Sequence, residues 1–242
     1  MQGTWIIFRR EVGQYFVSPV AYLIAAAFLF LTGFLFYNDL IASVTVKPAS
    51  PAVVPAFLSF ALVFFAPVLT MRMLAEESRE GTMELLLTAP VKDSDIVIGK
   101  FLSAWFYFTL LLVLTLVYQI VLISITQPDL GHAIGAYIGI WLYGGATLAV
   151  GLLFSAITEN QVVAAFLSIA TLLVLYLGGL AGQIVANIEL VRLINSLTLQ
   201  GHFISSFVYG LVRAEDVVYY AGMIAIMLFI TIRVVEAHRW RA

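Results

Sequence analysis

The chain has 242 residues, of which 62% are hydrophobic and 11% charged, with a mean hydropathy of +1.04 and a formal net charge of −2. A soluble domain has roughly 45–50% apolar and about 25% charged residues, so this composition indicates an integral membrane protein with little room for a soluble domain. The charge gives no indication of nucleic-acid binding, and the absence of cysteine excludes disulfides, thiolate metal sites and a cysteine nucleophile.

The first segment, residues 4–17, has the pattern of an amphipathic helix. Apolar residues recur there at helical spacing, and Arg9 and Arg10 fall between them: Trp5, Phe8, Val12, Tyr15 and Phe16. Ser18-Pro19 then breaks the helix, so we predict a helix lying in the membrane interface, followed by an elbow. The alternative is an ordinary charged flank of the first span. No persuasive cleavage site follows, so a cleaved signal peptide is not predicted.

Six uncharged apolar runs follow, and a bilayer core of about 30 Å requires about 20 helical residues. They are Val20–Tyr37, Val53–Met71, Phe101–Ile125, Ala133–Ile157, Gln161–Gly182 and Val217–Ile232, the last extending to residue 235 if Arg233 snorkels. We therefore predict an all-α integral membrane protein with six transmembrane helices, in which residues 1–242 form a single transmembrane domain. Asn38–Ala52 is predicted as a loop, and Pro55 and Pro67 as possible kinks in the second span.

The distribution of Lys and Arg predicts the orientation. With the N-terminus in the cytoplasm, the inner side holds Arg9, Arg10, Arg72, Arg79, Lys92, Lys100, Arg233, Arg239 and Arg241. The outer side then holds only Lys47, Arg192 and Arg213. Nine against three places both termini in the cytoplasm and makes residues 76–100 the only sizeable cytoplasmic loop.

Two further features concern packing. Residues 183–216 are too polar to span, yet apolar residues recur at helical spacing, so short interfacial or re-entrant helices are predicted on the outer face. The fourth span carries Gly135-x-x-x-Gly139 and three more glycines, which favour close helix packing either within one chain or between two.

Several kinds of active site are missing. No ionisable side chain lies inside the six spans as drawn, which argues against an ion-coupled transporter and a membrane metalloenzyme. The three histidines, His132, His202 and His238, are scattered near span ends and are interpreted as polar anchors. H-E-x-x-H, G-x-S-x-G and the phosphate-binding G-x-x-x-x-G-K-[ST] are all absent. We therefore predict no catalytic or metal site and no ATP bound by this chain itself, so that a partner must supply energy.

The stretch EESREGTMELLLTAP, residues 76–90, is the most charged part of this apolar chain. Gly81-Thr82 is predicted to end one helix and begin another, with Thr82 as N-cap, and Pro90 disfavours helix at the preceding residue. Three apolar residues then share one helix face: Met83, Leu86 and Leu87. A short helix with an apolar ridge and acidic neighbours can enter a groove on a basic partner. The alternative is a solvated connector.

This stretch resembles the loop between the second and third helices of ABC-2 type ABC transporter permeases. The matching residues are Glu76, Glu77, Arg79, Gly81, Thr82, Glu84, Leu85, Leu86, Leu87 and Pro90, and we include Glu80 and Met83 in the same docking set. The resemblance covers the whole chain. The segment GHFISSFVYGLVRAEDVVYY also resembles the branch that contains gliding-motility and multicopper-enzyme-maturation permeases.

The resemblance implies a coupling helix at residues 76–92, seated in a groove of a separate ABC ATPase subunit that binds ATP and Mg. It implies two ATPase copies beneath two permease chains, identical or different, in the cell inner membrane, acting as an exporter. The turn Thr158-Glu159-Asn160 would be a second, smaller contact, or a plain connector.

Two other functions compete with this one. A non-transporting membrane scaffold would use the same six helices without nucleotide-dependent movement, whereas an intramembrane hydrolase lacks its nucleophile and base motifs. The polar groups within the spans suit an amphipathic or lipid-like cargo, or bond only to their own helix backbones: Thr32, Ser59, Thr109, Thr115, Gln119, Thr147, Ser168 and Thr171.

Overall fold

The computed structural model describes residues 2–45, 49–82, 91–184, 189 and 196–239. These residues form helices joined by short turns, with no strand among them. The helices are α1 (Gln2–Val17), α2 (Pro19–Thr45), α3 (Val53–Thr70), α4 (Ala75–Arg79), α5 (Asp93–Ile125), α6 (Leu130–Ile157), α7 (Gln161–Ile184), α8 (Leu199–Ser205) and α9 (Ala214–Arg239), and a 3-10 turn spans Phe207–Tyr209. Six of them, α2, α3, α5, α6, α7 and α9, are long and apolar enough to cross a membrane. The predicted all-α, six-span fold is therefore confirmed.

Helix α6 is the centre of the bundle. In its most apolar stretch 83% of the residues are buried, against 17% in α7 and α9, because α3, α5, α7 and α9 all pack around it. Its glycines allow this close approach. A Cβ at Gly135 would lie 2.6 Å from the Cα of Gly210, and one at Gly139 would overlap the ring of Phe207. The glycine pattern of the fourth span thus serves packing within one chain.

The first span is longer than the sequence predicts, and the loop that follows it is shorter. Helix α2 continues past Tyr37 to Thr45, through part of the predicted loop Asn38–Ala52. Asp39 lies within this extension and is only 7% exposed. Its carboxylate accepts a hydrogen bond from the backbone N–H of Ser50 at 3.2 Å. A buried charge is tolerated here because it has a hydrogen-bond donor.

The N-terminal helix ends at Val17, and α2 begins at Pro19, so the chain breaks at the predicted position. Trp5 and Phe16 are exposed, as an apolar face directed at lipid requires. A second face, not predicted from the sequence, packs against α5. It contains Ile7 and Glu11, both buried, and Ile7 lies against the bare backbone of Gly99. Helix α1 therefore has two functions: one face packs against the bundle, and the other exposes apolar side chains.

The longest described part of the predicted outer segment begins at Ser196. Three aromatic and aliphatic side chains fix it in the bundle, and all are fully buried: Leu199, Phe203 and Phe207. Gly210 has a φ of +77°, a left-handed conformation that glycine adopts without strain, and it ends the 3-10 turn. Residues 185–188 and 190–195 of the predicted outer segment lie outside the described residues.

Candidate functional site

The charged stretch begins after α3 ends at Thr70, where four turn residues separate it from α4. A break between two helices leaves backbone N–H and C=O groups without their usual partners. Ser155, near the end of α6, supplies those partners: its hydroxyl oxygen accepts from the N–H groups of Leu74 at 3.0 Å and Ala75 at 3.1 Å and donates to the carbonyl of Met71 at 3.1 Å. The start of α4 is therefore fastened to the central helix.

Four charged side chains meet beside α4, and we call them the latch cluster: Arg10, Glu11, Glu77 and Lys100. Lys100 Nζ lies 3.1 Å from Glu11 Oε1 and 3.0 Å from Glu77 Oε1. Arg10 Nη2 lies 2.6 Å from Glu11 Oε1 and 2.9 Å from Glu77 Oε1. Two cations thus share two carboxylates, and the cluster is neutral. It joins the N-terminal helix, α4 and the start of α5.

Because the latch cluster is largely buried, breaking its ion pairs costs more free energy than breaking exposed ones. The Lys100 side chain is 2% exposed and that of Glu11 is 7% exposed. Burial of the Arg10 guanidinium disfavours its charge, but the hydrogen bond and charge of Glu11, together with Glu77, outweigh this effect and raise the pKa of Arg10. Removing one partner from a buried ion pair costs about 3–5 kcal/mol, because a charge is left buried without compensation. The cluster is therefore a firm connection, unlike an exposed surface pair.

The structure describes the first half of the predicted docking stretch, residues 76–90, and not the second half. Glu76 and Glu77 are half-buried, whereas Arg79, Glu80, Gly81 and Thr82 are exposed. Gly81 has a φ of +70° with open space around it, so it ends α4 as a glycine C-cap does. The Thr82 hydroxyl donates to the carbonyl of Glu77 at 3.3 Å. The rest of the stretch lies outside the described residues: Met83, Glu84, Leu85, Leu86, Leu87 and Pro90.

The second predicted contact, Thr158-Glu159-Asn160, lies beside the first. Arg72 donates to the side chain of Gln161 at 3.3 Å and so joins the end of the second span to the residue after this turn. The Asn160 side chain accepts from the N–H of Val162 at 2.9 Å and starts α7 as an N-cap. Glu159 is exposed. Both predicted contacts therefore face the same side of the bundle.

A cavity of about 600 Å³ opens between α1, α2, α3 and α4. One wall is apolar and includes Val20, Ile24, Val68 and Leu69, and the other is formed by the latch cluster with Arg72 and the glutamates of the docking stretch. This volume is typical of small-molecule sites. The combination of an apolar wall and a charged wall suits an amphipathic molecule.

Most polar groups within the spans are occupied locally. Their hydroxyls donate to carbonyls three or four residues earlier in the same helix: Thr32, Ser59, Thr109, Thr115, Thr147 and Ser168. Gln119 donates instead to the carbonyl of Pro51 at 2.7 Å. These contacts match the interpretation that such groups bond to backbone.

Two histidines have the polar contacts that an anchor makes. His132 lies against the carbonyl of Val208, and His202 contacts Asp216. Within the part of the chain that the structure describes, no group of three His, Cys, Asp or Glu residues is arranged to hold a metal ion.

These features define a multi-pass α-helical membrane protein in which a charged turn between the second and third spans is fastened to several helices. The family model described as "ABC-2 family transporter protein" matches residues 5–234, nearly the whole chain. The chain therefore belongs to the ABC-2 family of transporter proteins, as the docking stretch predicts.

Two curated relatives refine the comparison. The chain is 26% identical over 156 residues to the "Probable multidrug ABC transporter permease YbhS" of Escherichia coli strain K12, and equally so to the protein of that name from strain O157:H7. The aligned part covers 64% of this chain and 41% of each relative. The chain thus spans about two fifths of the length of these relatives.

Proposed function

We propose that this chain is the membrane-spanning permease subunit of an ATP-driven exporter in the cell inner membrane, with both termini in the cytoplasm. It pairs with a second permease chain, identical or different, and receives energy from two copies of a separate ABC ATPase subunit. ATP and Mg bind to that partner, and this chain hydrolyses nothing itself. Membership of a transporter family supports the general function, and the names of the two relatives support the pairing with an ABC-type system.

The observation that carries this proposal is the attachment of α4 to three parts of the bundle at once. Ser155 joins it to α6, and Glu77 joins it to α1 through Arg10 and to α5 through Lys100. An ATPase that grips residues 76–90 and moves them therefore pulls on these helices together. A plain solvated connector needs no such attachments. The exposed side chains of Arg79 and Glu80 remain available for the partner.

A pull-down tests the partner. The tagged chain is purified in mild detergent from its native membrane, and co-purifying proteins are identified by mass spectrometry. We expect a stoichiometric soluble protein with a Walker A sequence, lost in the double variant Gly81→Val/Glu84→Lys. A side chain at Gly81 is strained by its positive φ, and the charge reversal opposes a basic groove.

The matched control is Gly222→Val/Glu215→Lys, which makes the same two changes at a glycine with open space around it and at a glutamate whose side chain is 70% exposed. The control must retain the ATPase, and both variants must elute as intact bundles. Recovery of the unaltered bundle without any ATPase would favour the membrane scaffold instead.

Single cysteines test the orientation, because the chain has no native cysteine. Glu80→Cys, at a side chain that is 54% exposed, is expected to react with a membrane-impermeant maleimide only after the cells are opened. Tyr209→Cys, at a residue that is 67% exposed, is expected to react in intact cells. The reverse pattern would overturn the topology that the charge count predicts.

A further inference from the structure

The cavity of about 600 Å³ lies where the first span begins and the second span ends. Val20, the second residue of α2, and Leu69, the last but one residue of α3, both line it. At the ends of spans a bilayer changes from hydrocarbon to polar head groups. We propose that this cavity binds a zwitterionic membrane phospholipid with a primary ammonium group, of the phosphatidylethanolamine type. Its phosphate lies on Arg72 and its ammonium on Glu76 and Glu80.

These three charged side chains form a row along one face of a helix. The backbone N–H of Glu76 donates to the carbonyl of Arg72 at 3.2 Å, and that of Glu80 donates to the carbonyl of Glu76 at 2.9 Å. Both hydrogen bonds span four residues, so the side chains project one above another from successive turns. All three line the cavity. The row therefore offers a ligand one cation followed by two anions.

Arg72 has the donors that a phosphate requires. Within the described residues its two polar contacts are both made by Nε, which lies 3.3 Å from the side-chain oxygen of Gln161 and 3.9 Å from Glu76 Oε2. Its side chain is 45% exposed. The two terminal nitrogens are therefore available to a ligand, and with them the planar fork of N–H groups that matches two oxygens of a phosphate.

Glu76 and Glu80 have the acceptors that an ammonium requires. Their contacts with Arg72 and Arg79 measure 3.9 and 4.0 Å, whereas a charge-assisted hydrogen bond measures about 2.7–2.9 Å. Both carboxylates are thus only weakly paired. A carboxylate only accepts hydrogen bonds, and a primary ammonium supplies three N–H donors, whereas the quaternary ammonium of choline supplies none. The site therefore favours an ethanolamine head group over a choline head group.

The charges around the cavity balance, which favours a ligand without net charge. The latch cluster forms the inner part of the polar wall and is neutral, with two cations and two carboxylates. Glu76 and Glu80 are balanced by Arg72 and by Arg79, which pairs with Glu80. In an ethanolamine head group a short two-carbon link separates phosphate from ammonium. The two charges can therefore meet neighbouring turns of the row, about 5.4 Å apart.

The opposite wall of the cavity suits hydrocarbon. It includes Val20, Ile24 and Val68, and its volume lies within the range of about 300–1,000 Å³ typical of small-molecule sites. Val20 is 37% exposed, and Leu23, one turn further along α2, is 71% exposed. The apolar wall thus continues onto the outer surface of the first span. We expect the head group and the first chain carbons inside the cavity and the rest of the chains along α2.

Native mass spectrometry measures the selectivity. The lipid-free chain in mild detergent receives an equimolar mixture of phosphatidylethanolamine, phosphatidylcholine and phosphatidylglycerol with identical acyl chains, and the lipids retained by the intact protein are counted. We expect phosphatidylethanolamine to be retained in several-fold excess over each of the other two. Equal retention of the three lipids, or a preference for phosphatidylcholine or phosphatidylglycerol, overturns the proposal.

Two variants separate the contacts of the head group. Glu80→Gln changes a side chain that is 54% exposed, so the fold is expected to persist, and the retention of phosphatidylethanolamine should fall to that of phosphatidylcholine. Arg72→Gln should lower the retention of all three lipids, since each has a phosphate. The matched controls are Glu215→Gln and Arg213→Gln, an exposed pair outside the cavity, and they should change neither value. A preference that survives Glu80→Gln, or that Glu215→Gln abolishes equally, overturns the proposal.

Thiol labelling locates the bound lipid, because the chain has no native cysteine. Val20→Cys lies in the cavity wall, and Leu31→Cys lies outside it on the same helix, at side chains that are 37% and 38% exposed. We expect phosphatidylethanolamine to slow the reaction of Val20→Cys with N-ethylmaleimide several-fold more than phosphatidylcholine does, and the two lipids to affect Leu31→Cys equally. The same effect of both lipids at both positions indicates a non-selective lipid coat and overturns the site. These experiments need no ATPase, so their failure leaves the proposed function untouched.

Discussion

Replacing Lys100 by methionine tests the latch cluster most directly, because the two side chains have similar length and only the charge is lost. Lys100 Nζ contacts Glu11 and Glu77 at 3.1 and 3.0 Å, and its side chain is 2% exposed. The substitution leaves two carboxylates to share the single charge of Arg10. Breaking a buried pair costs about 3–5 kcal/mol, and we expect the lower end, about 3 kcal/mol, since Arg10 remains.

For a chain of this size 1 kcal/mol corresponds to about 2–4 °C in the midpoint of thermal unfolding, so Lys100→Met should lower it by about 6–12 °C. The assay is tryptophan fluorescence during heating in a mild detergent. Lys92→Met is the matched control, because this lysine is exposed and lies just before the same helix, and its midpoint should hardly change. Adding Glu11→Gln to Lys100→Met should restore part of the loss, because a single carboxylate, that of Glu77, then remains to pair with Arg10. Equal midpoints for Lys100→Met and Lys92→Met would refute a structural role for the cluster.

Two further predictions concern the central helix and use the same unfolding assay. Ser155→Ala leaves two buried N–H groups at the start of α4 without an acceptor and should destabilise the protein by about 1–3 kcal/mol for each group, whereas Ser168→Ala, which removes only a bond within its own helix, should have little effect. Gly144→Ala places a methyl group 2.2 Å from the edge of the Phe108 ring and should cost about 1–3 kcal/mol, whereas Gly222→Ala, with open space around it, should be neutral or slightly stabilising. Equal effects within either pair would contradict the packing described for α6.

The six spans were predictable because a span is recognised from the summed hydrophobicity of about 20 residues. A single polar residue changes that sum little. The ends of the spans were not predictable in this way. Helices α2 and α5 extend beyond their apolar runs, through Asp39 and Lys100, because each charged side chain finds a partner. Asp39 accepts from the N–H of Ser50, 11 residues further on, and Lys100 contacts Glu11, 89 residues away. A span drawn to stop at the first charge cannot include such residues.

The latch cluster illustrates why much of the site escaped prediction. Arg10 and Glu77 are 67 residues apart, and Lys100 and Glu11 are 89 apart, so no local pattern relates them. The sequence did identify Glu77 as part of a docking stretch, and Arg10 as part of an interfacial helix. It gave no reason to connect the two, and it placed Lys100 only in a count of cytoplasmic charges. Such pairs become visible only when packing sets which helix faces meet.

The arrangement around α4 also determines how a pull on the docking stretch must spread. Gly81 lies on one side of α4 with open space around it, whereas on the other side α4 is held by Ser155 and by the latch cluster. A displacement delivered beyond Gly81 therefore reaches α5 and α1 through short ionic contacts, whose Coulomb energy falls to about half if their length doubles. It reaches α6 through the hydrogen bonds of Ser155, whose energy falls even more steeply with distance than that of an ionic contact. Because α6 is the helix around which the bundle packs, small movements of α4 are either shared by the bundle or break these contacts.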